Sequence, residues 1–112
     1  MKIKTSELDG AALDWAVAKC EGLDIRRLSG GEFLLADGDF WFPSTDWAQG
    51  GPIIEREGIG LLPSGNSYYE RDGGTYYSYG STPLIAAMRC YVASKLGDEV
   101  EVPEEILQGQ QA

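Results

Sequence analysis

The block from Ser44 to Arg56 holds the side chains of this chain that are best suited to recognising a ligand. It places a carboxylate, an aromatic ring, an amide and a guanidinium group in one short stretch: Asp46, Trp47, Gln49 and Arg56. An aromatic ring can stack on a planar ligand, and a guanidinium group can form paired hydrogen bonds with a phosphate or a carboxylate. We therefore predict that this block is the centre of a binding site.

Aromatic and basic side chains outside the block extend the predicted site. Tyrosines are dense between residues 68 and 79, and Arg89 lies on a predicted helix that begins after Thr82. Backbone N–H groups at a helix start bind anions, and so do Arg side chains. The sequence therefore predicts a small anionic, nucleotide-like ligand. The predicted ligand-binding residues are Thr45, Asp46, Trp47, Gln49, Arg56, Thr82 and Arg89.

The same residues allow other interpretations. A tyrosine-rich hairpin ordinarily has one face in the core and one face in water, and Trp47 then simply packs against the protein. Tyr and Trp are also the residues that dominate protein interfaces. In that case the chain is a module that inhibits or redirects another protein, or the segment 68–79 forms a homodimer contact.

Catalytic chemistry has little support in the sequence. The chain contains no histidine, which is the commonest general base and metal ligand. Asp46, Glu55 and Glu57 are candidates for a metal site, but two of them flank Arg56, and solvated charges are the ordinary state of such residues. A serine nucleophile would need an unusual lysine base. We therefore expect a binding protein rather than an enzyme, with no cofactor, no metal and no catalytic residue.

Charge and composition narrow the class of partner. The chain has 112 residues, a net charge of −9 and 43% hydrophobic residues, a composition typical of one folded domain. The acidic balance disfavours extended nucleic acid, which requires a basic surface. Cys20 and Cys90 fall in apolar helical patterns and are expected to be buried thiols. No segment resembles a signal peptide or a membrane span, so we expect a cytoplasmic protein without a membrane partner.

Local patterns predict an α+β fold, with two helices packed on a small, mostly antiparallel β-sheet. The first helix is expected at about residues 9–21, capped by Asp9. The second is expected to begin at Pro83 and to end at Gly97. Thr45 is expected to cap one further helical turn.

The remaining apolar runs predict strands, and the whole fold is expected to form one domain over residues 1–107. Residues 108–112 are predicted to be a disordered tail. Strands or hairpin arms are expected near residues 2–5, 24–28, 32–36, 40–42, 52–56, 59–62, 68–71, 75–78 and 100–102.

Three blocks of the chain resemble the NinX-like family of small bacteriophage and prophage proteins. The blocks are Leu8–Ala18, Ser44–Ile54 and Thr82–Gly97, and they occur in the order that the family has. Residues 58–79 lie outside the resemblance. The resemblance implies a phage accessory protein from an early, host-takeover region, acting in the host cytoplasm. It implies no activity and no catalytic residue, and the finer hypothesis of an anti-defence protein that sequesters a host immune signal is an analogy with other small phage proteins.

Overall fold

The structure is a computed structural model that describes residues 1–71 and 73–108. The predicted α+β class is confirmed, with helices and small antiparallel sheets. The helices are α1 (Gly10–Glu21), α2 (Trp47–Glu57), α3 (Pro83–Leu96) and α4 (Glu104–Gln108). The strands are β1 (Lys2–Lys4), β2 (Ile25–Arg27), β3 (Phe33–Leu35), β4 (Gly60–Leu62), β5 (Asn66–Arg71), β6 (Gly74–Tyr79) and β7 (Glu99–Glu101).

The strands form three separate antiparallel sheets rather than the one sheet that was predicted. β1 pairs with β7, β2 pairs with β3, and β4, β5 and β6 follow one another in the third sheet. Both predicted hairpins are present, because β2–β3 and β5–β6 are each joined by a glycine-containing turn.

The helices α1 and α3 form the centre of the core. Leu13, Val17, Met88 and Val92 are completely or almost completely buried there. α3 packs on β5 and β6 as well as on α1. Because α3 contacts all of these elements, its buried face holds the helices and the largest sheet in one hydrophobic core.

Both predicted helices are confirmed, together with their ends. The Asp9 carboxylate accepts a hydrogen bond from the Gly10 N–H at 2.8 Å. The Thr82 hydroxyl oxygen accepts one from the Ile85 N–H at 3.1 Å, and Pro83 occupies the first helical position. Asp9 and Thr82 supply acceptors for N–H donors that a helix start leaves unpaired, and Pro83 has no such donor.

α2 corrects the prediction of a single turn followed by a strand at 52–56. Residues 47–57 form one continuous helix, even though Pro52 lies inside it. Its cap is Asp46, whose carboxylate accepts the Ala48 N–H at 3.0 Å, and not Thr45. A Gly-Gly-Pro sequence is typical of a turn, but tertiary packing overrides that local preference here.

Gly50 shows how packing decides this helix. A Cβ atom at Gly50 would lie 2.5 Å from the Pro43 carbonyl oxygen and 2.6 Å from the Leu84 side chain. Gly50 is buried, so α2 approaches α3 and the preceding chain closely at a position without a side chain. The glycine that suggested a turn therefore permits helix packing.

Two smaller expectations also need correction. The segment 40–42 was predicted as a strand, but only Phe40 forms an isolated bridge, with Leu34. Cys90 is fully buried as expected, whereas Cys20 is only half-buried. Gln108 ends α4, and the rest of the predicted tail lies outside the described residues.

Candidate functional site

Gln49 holds the aromatic segment 40–42 against the first turn of α2. Its side-chain amide donates to the Phe40 carbonyl oxygen at 2.5 Å and accepts from the Phe42 N–H at 2.7 Å. The N–H groups of Thr45 and Asp46 donate to the Phe42 carbonyl oxygen at 3.2 and 3.1 Å. The Phe40 carbonyl oxygen and both backbone groups of Phe42 therefore have hydrogen-bond partners, although the segment forms no regular strand.

Three large rings from this part of the chain remain exposed to solvent. Phe40 is 46% exposed, Phe42 is 41% exposed and Trp47 is 51% exposed. We call these three residues the aromatic surface. The ring of Trp41, by contrast, is buried, and its indole N–H donates to the Asp14 carbonyl oxygen at 2.9 Å. The buried ring fixes the segment to α1 while its neighbours face outward.

A cleft of about 390 Å³ lies between this segment, the start of α1 and the turn before β3. We call it the aromatic cleft. Its lining is mostly apolar with two carboxylates, a composition that ligand and anchor-residue sites share. The lining residues are Gly10, Ala11, Asp14, Gly31, Glu32, Phe33, Phe40, Trp41, Phe42 and Thr45.

Asp14 is the buried acid of the aromatic cleft. The residue is 7% exposed, and its carboxylate accepts a hydrogen bond from the Ser44 N–H at 2.8 Å. Burial raises the pKa of Asp14 to about 6, and hydrogen bonding from Ser44 acts in the opposite direction. At neutral pH this carboxylate is mostly ionised, so it favours a cation or a hydrogen-bond donor in the cleft.

Arg27 packs on Phe33, one of the residues that line the cleft. Its guanidinium carbon is 5.1 Å from the centroid of the Phe33 ring, and Phe33 lines the cleft. One nitrogen of the guanidinium group, Nη1, is buried without a hydrogen-bond partner among the described residues. A buried donor without a partner destabilises the folded protein. Arg27 is therefore a cation in this region that can still donate a hydrogen bond to a ligand. Arg27 is not among the binding residues predicted from the sequence.

Arg56, a predicted ligand residue, is engaged by the protein itself. Its Nη1 and Nη2 atoms donate to the two oxygens of Glu21 at 3.0 and 2.6 Å, and its Nε atom donates to Glu57 at 2.7 Å. Two carboxylates therefore already neutralise this cation. Along the helix, Arg56 lies roughly 13 Å from Trp47, since each residue adds about 1.5 Å.

Two tyrosines complete what we call the charged network, formed by Glu21, Arg56, Glu57, Tyr69 and Tyr91. The Tyr91 hydroxyl donates to Glu21 at 2.5 Å, and the Tyr69 hydroxyl donates to Glu57 at 2.5 Å. Hydrogen bonds from Arg56 lower the pKa of Glu21, and those from Tyr69 and Arg56 lower the pKa of Glu57. Burial raises the pKa of Tyr69 to about 12 and also raises that of Tyr91. The network joins α1, α2, α3 and β5.

Arg89 and Thr82 are likewise used within the fold. Arg89 donates from Nε to the Leu8 carbonyl oxygen and from Nη1 to the Tyr79 carbonyl oxygen, both at 2.7 Å. The Thr82 hydroxyl caps α3. The structure thus brings Thr45, Asp46, Trp47 and Gln49 together at the start of α2, and gives Arg56, Arg89 and Thr82 separate intramolecular contacts. Their predicted role in ligand binding stays a prediction.

Within residues 1–71 and 73–108, no group of three or more acidic, cysteine or histidine side chains is arranged to hold a metal ion. Over the same residues, no helix has the length and hydropathy needed to cross a membrane.

A comparison with known protein families identifies the family of this chain. The family model described as Bacteriophage P22, NinX matches residues 4–95. The chain therefore belongs to the NinX family of bacteriophage proteins. The match runs through residues 58–79, which the resemblance seen in the sequence had left out. No curated protein matches the chain.

Proposed function

We propose that this NinX-family protein is a non-enzymatic phage accessory protein that binds a host protein through the aromatic surface and the aromatic cleft. The observation that carries the proposal is the exposure of Phe40 and Phe42, which line an apolar cleft, together with that of Trp47 at the start of α2. Exposed rings that cluster around a concavity are characteristic of interface hot spots, where a partner fills the concavity and excludes water.

The charges around the cleft indicate the chemistry of the partner. Asp14 and Glu32 line the cleft, and the chain as a whole carries a net charge of −9. A partner side chain with an apolar body and a positive end, such as Arg, would stack on the rings and pair with a carboxylate. Acidic charge over the whole chain would also steer a basic host protein toward it.

The proposal is tested by recovering a stoichiometric partner from host extract, purifying it and measuring its affinity for single variants. Phe42→Ala is expected to weaken binding by about 2 kcal/mol, or roughly thirtyfold, as for a hot-spot ring. Tyr79→Ala is the matched control, because Tyr79 is an exposed ring on a different part of the molecule. Equal affinity of the two variants, or the absence of any stoichiometric partner, would overturn the proposal.

A small anionic, nucleotide-like ligand is the second candidate, and Arg27 is the observation that favours it. Its buried Nη1 atom lacks a partner among the described residues, and its guanidinium group lies over Phe33. A base could stack in the cleft while a phosphate approaches Arg27. In a phage setting this activity would sequester a host immune signal in the host cytoplasm.

Two observations place this candidate second. Asp14 and Glu32 in the cleft repel an anion, and Arg56 and Arg89 already have partners within the chain. Native mass spectrometry followed by thermal-shift screening with linear and cyclic nucleotides separates the candidates. A bound nucleotide mass and a thermal shift that Arg27→Gln removes would favour the small ligand. A purely apo mass without any thermal shift would exclude it.

A further inference from the structure

A groove on one side of the molecule is bordered by the outer strand β6 and by the end of β1. β6 is the last strand of the three-stranded sheet, and β1 pairs only with β7 in its own sheet. The groove has a volume of about 470 Å³, and its lining includes Lys4, Tyr77, Ala93, Asp98 and Glu99. It therefore lies between β1 and β6, beside α3.

The backbone of β6 directs hydrogen-bonding groups into this groove. The Gly80 N–H donates to the Gly65 carbonyl oxygen at 3.0 Å, next to the pairing of β6 with β5. The Tyr79 carbonyl oxygen instead accepts from Arg89. Because backbone direction alternates along an antiparallel strand, the N–H and C=O of Tyr77 point the same way as those of Tyr79, away from β5.

The backbone of β1 directs groups toward the groove by the same alternation. Met1 and Val102 exchange two hydrogen bonds, at 3.0 and 2.9 Å. Met1 and Ile3 therefore point toward β7, and Lys2 and Lys4 point away from it. In the part of the chain that the structure describes, no strand pairs with this edge of β1 or with the outer edge of β6.

Arg89 bridges the chain after β1 and the end of β6. Its guanidinium group joins the Leu8 carbonyl oxygen, which follows a 3-10 helix at Thr5–Glu7, to the Tyr79 carbonyl oxygen at the end of β6. Donors placed between these two segments therefore satisfy acceptors on both of them. Ala93 lies one helical turn after Arg89 on α3. Its methyl side chain carries no hydrogen-bond donor and leaves the groove open.

We propose that the groove accepts an extended segment of a partner protein, which adds a strand between β6 and β1. Only a backbone with free groups on both sides satisfies both edges, which is the basis of β-strand addition. Asp98 and Glu99 at the groove favour a segment with a basic side chain. A second copy is a poor occupant, since each chain carries a net charge of −9. The inserted strand would join two sheets on one side of α3.

The experiment selects short peptides from a random display library on the full-length protein and measures the affinities of synthetic copies. Tyr77→Pro removes a backbone N–H that faces the groove, and an outer strand tolerates proline. Selected peptides are expected to bind Tyr77→Pro about tenfold more weakly than the unaltered protein, since paired edge hydrogen bonds are lost. Tyr77→Phe keeps the N–H and is expected to bind normally.

Amide hydrogen exchange supplies a second measurement that does not depend on a variant. A bound peptide is expected to slow exchange at the amides of Tyr77 and Lys4 together. Failure to select any peptide, equal binding by Tyr77→Pro, or protection of one edge alone would overturn the proposal. A dimer of the free protein that Tyr77→Pro dissociates would also overturn it, by assigning the edge to a second copy.

The aromatic surface serves as an independent control. Phe42→Ala is expected to leave peptide affinity unchanged, so the strand site and the proposed host-protein site fail or succeed separately. Loss of peptide binding in Phe42→Ala would place the peptide on the aromatic surface and overturn the strand site.

Discussion

The two ends of α2 carry similar residue types and use them differently. At the start of the helix, Asp46 and Gln49 hold the backbone, and the rings of Phe42 and Trp47 are left in solvent. At its end, the charged network around Arg56 uses ring hydroxyls, carboxylates and guanidinium together. Residues suited to recognition therefore indicate a binding site only where the fold has not already supplied their partners.

The close approach of α2 to α3 holds both ends of α2 in place. The variant Gly50→Ala tests this approach, and we expect it to have the largest effect on the free energy of unfolding. The added methyl group would meet the Pro43 carbonyl oxygen and the Leu84 side chain. We expect the free energy of unfolding to fall by about 1–3 kcal/mol, the ordinary cost of overpacking. Chemical denaturation of the purified variant measures this change.

Gly51→Ala is the matched control for Gly50→Ala. A Cβ at Gly51 would make only an ordinary contact, 3.8 Å from the Trp47 ring. Because alanine favours a helix over glycine, we expect Gly51→Ala to gain about 0.5–1 kcal/mol of stability. A Gly50→Ala protein as stable as Gly51→Ala would contradict the packing described for α2.

Arg56→Gln tests whether the charged network at the end of α2 is structural. The variant leaves the half-buried carboxylates of Glu21 and Glu57 without their cation. We expect a loss of about 1–2 kcal/mol at pH 7, discounted because Arg56 itself is half-exposed. Glu55→Gln, at an exposed neighbouring acid, is expected to change stability by less than about 0.5 kcal/mol.

The same variant has a predictable pH dependence. The pKa values of Glu21 and Glu57 are lower in the folded protein than the ordinary value of 4.5. The stabilisation is therefore fully present above about pH 4.5 and is lost as the pH falls through the folded pKa values. A difference between Arg56→Gln and the unaltered protein that persists undiminished at strongly acidic pH would contradict the network.

Much of the fold was predictable because its signals are local. The helix α1 begins after Asp9 and ends before Gly22, and α3 begins at Thr82 and Pro83. Contacts within one helical turn set these ends. α2 was predicted as a single turn because part of the reason for Gly50 lies in Leu84, far along the chain. Local preference alone cannot supply such a contact.

The candidate site was predictable in part. The sequence pointed to the region of Trp47 and Gln49, where the structure has exposed rings and a cleft, and the binding role of these residues stays a prediction. It gave no sign that Glu21 would pair with Arg56, or that Asp14 would lie beneath Ser44. These pairs are distant in sequence, so only the fold brings them together.

Apart from the control variants, Asp14 gives the smallest of the expected stability effects, and it sharpens the description of the cleft. Its pKa is about 6 in the fold against an ordinary value of 3.8, so between these values the folded state binds the extra proton. Asp14 therefore contributes a rise in stability of about 1 kcal/mol as the pH falls from 7 to 5. Asp14→Asn is expected to abolish this rise in thermal melts, and a rise that persists in the variant would contradict the assignment to Asp14.

The central claim is that the start of α2 binds a partner while its end holds the fold. Its most direct test measures the affinity of the purified host partner for Trp47→Ala and for Arg56→Gln, each with its thermal midpoint. We predict that Trp47→Ala binds at least about tenfold more weakly with little change in stability, whereas Arg56→Gln loses stability and keeps its affinity. The reverse pattern, with affinity lost in Arg56→Gln and kept in Trp47→Ala, would contradict the account.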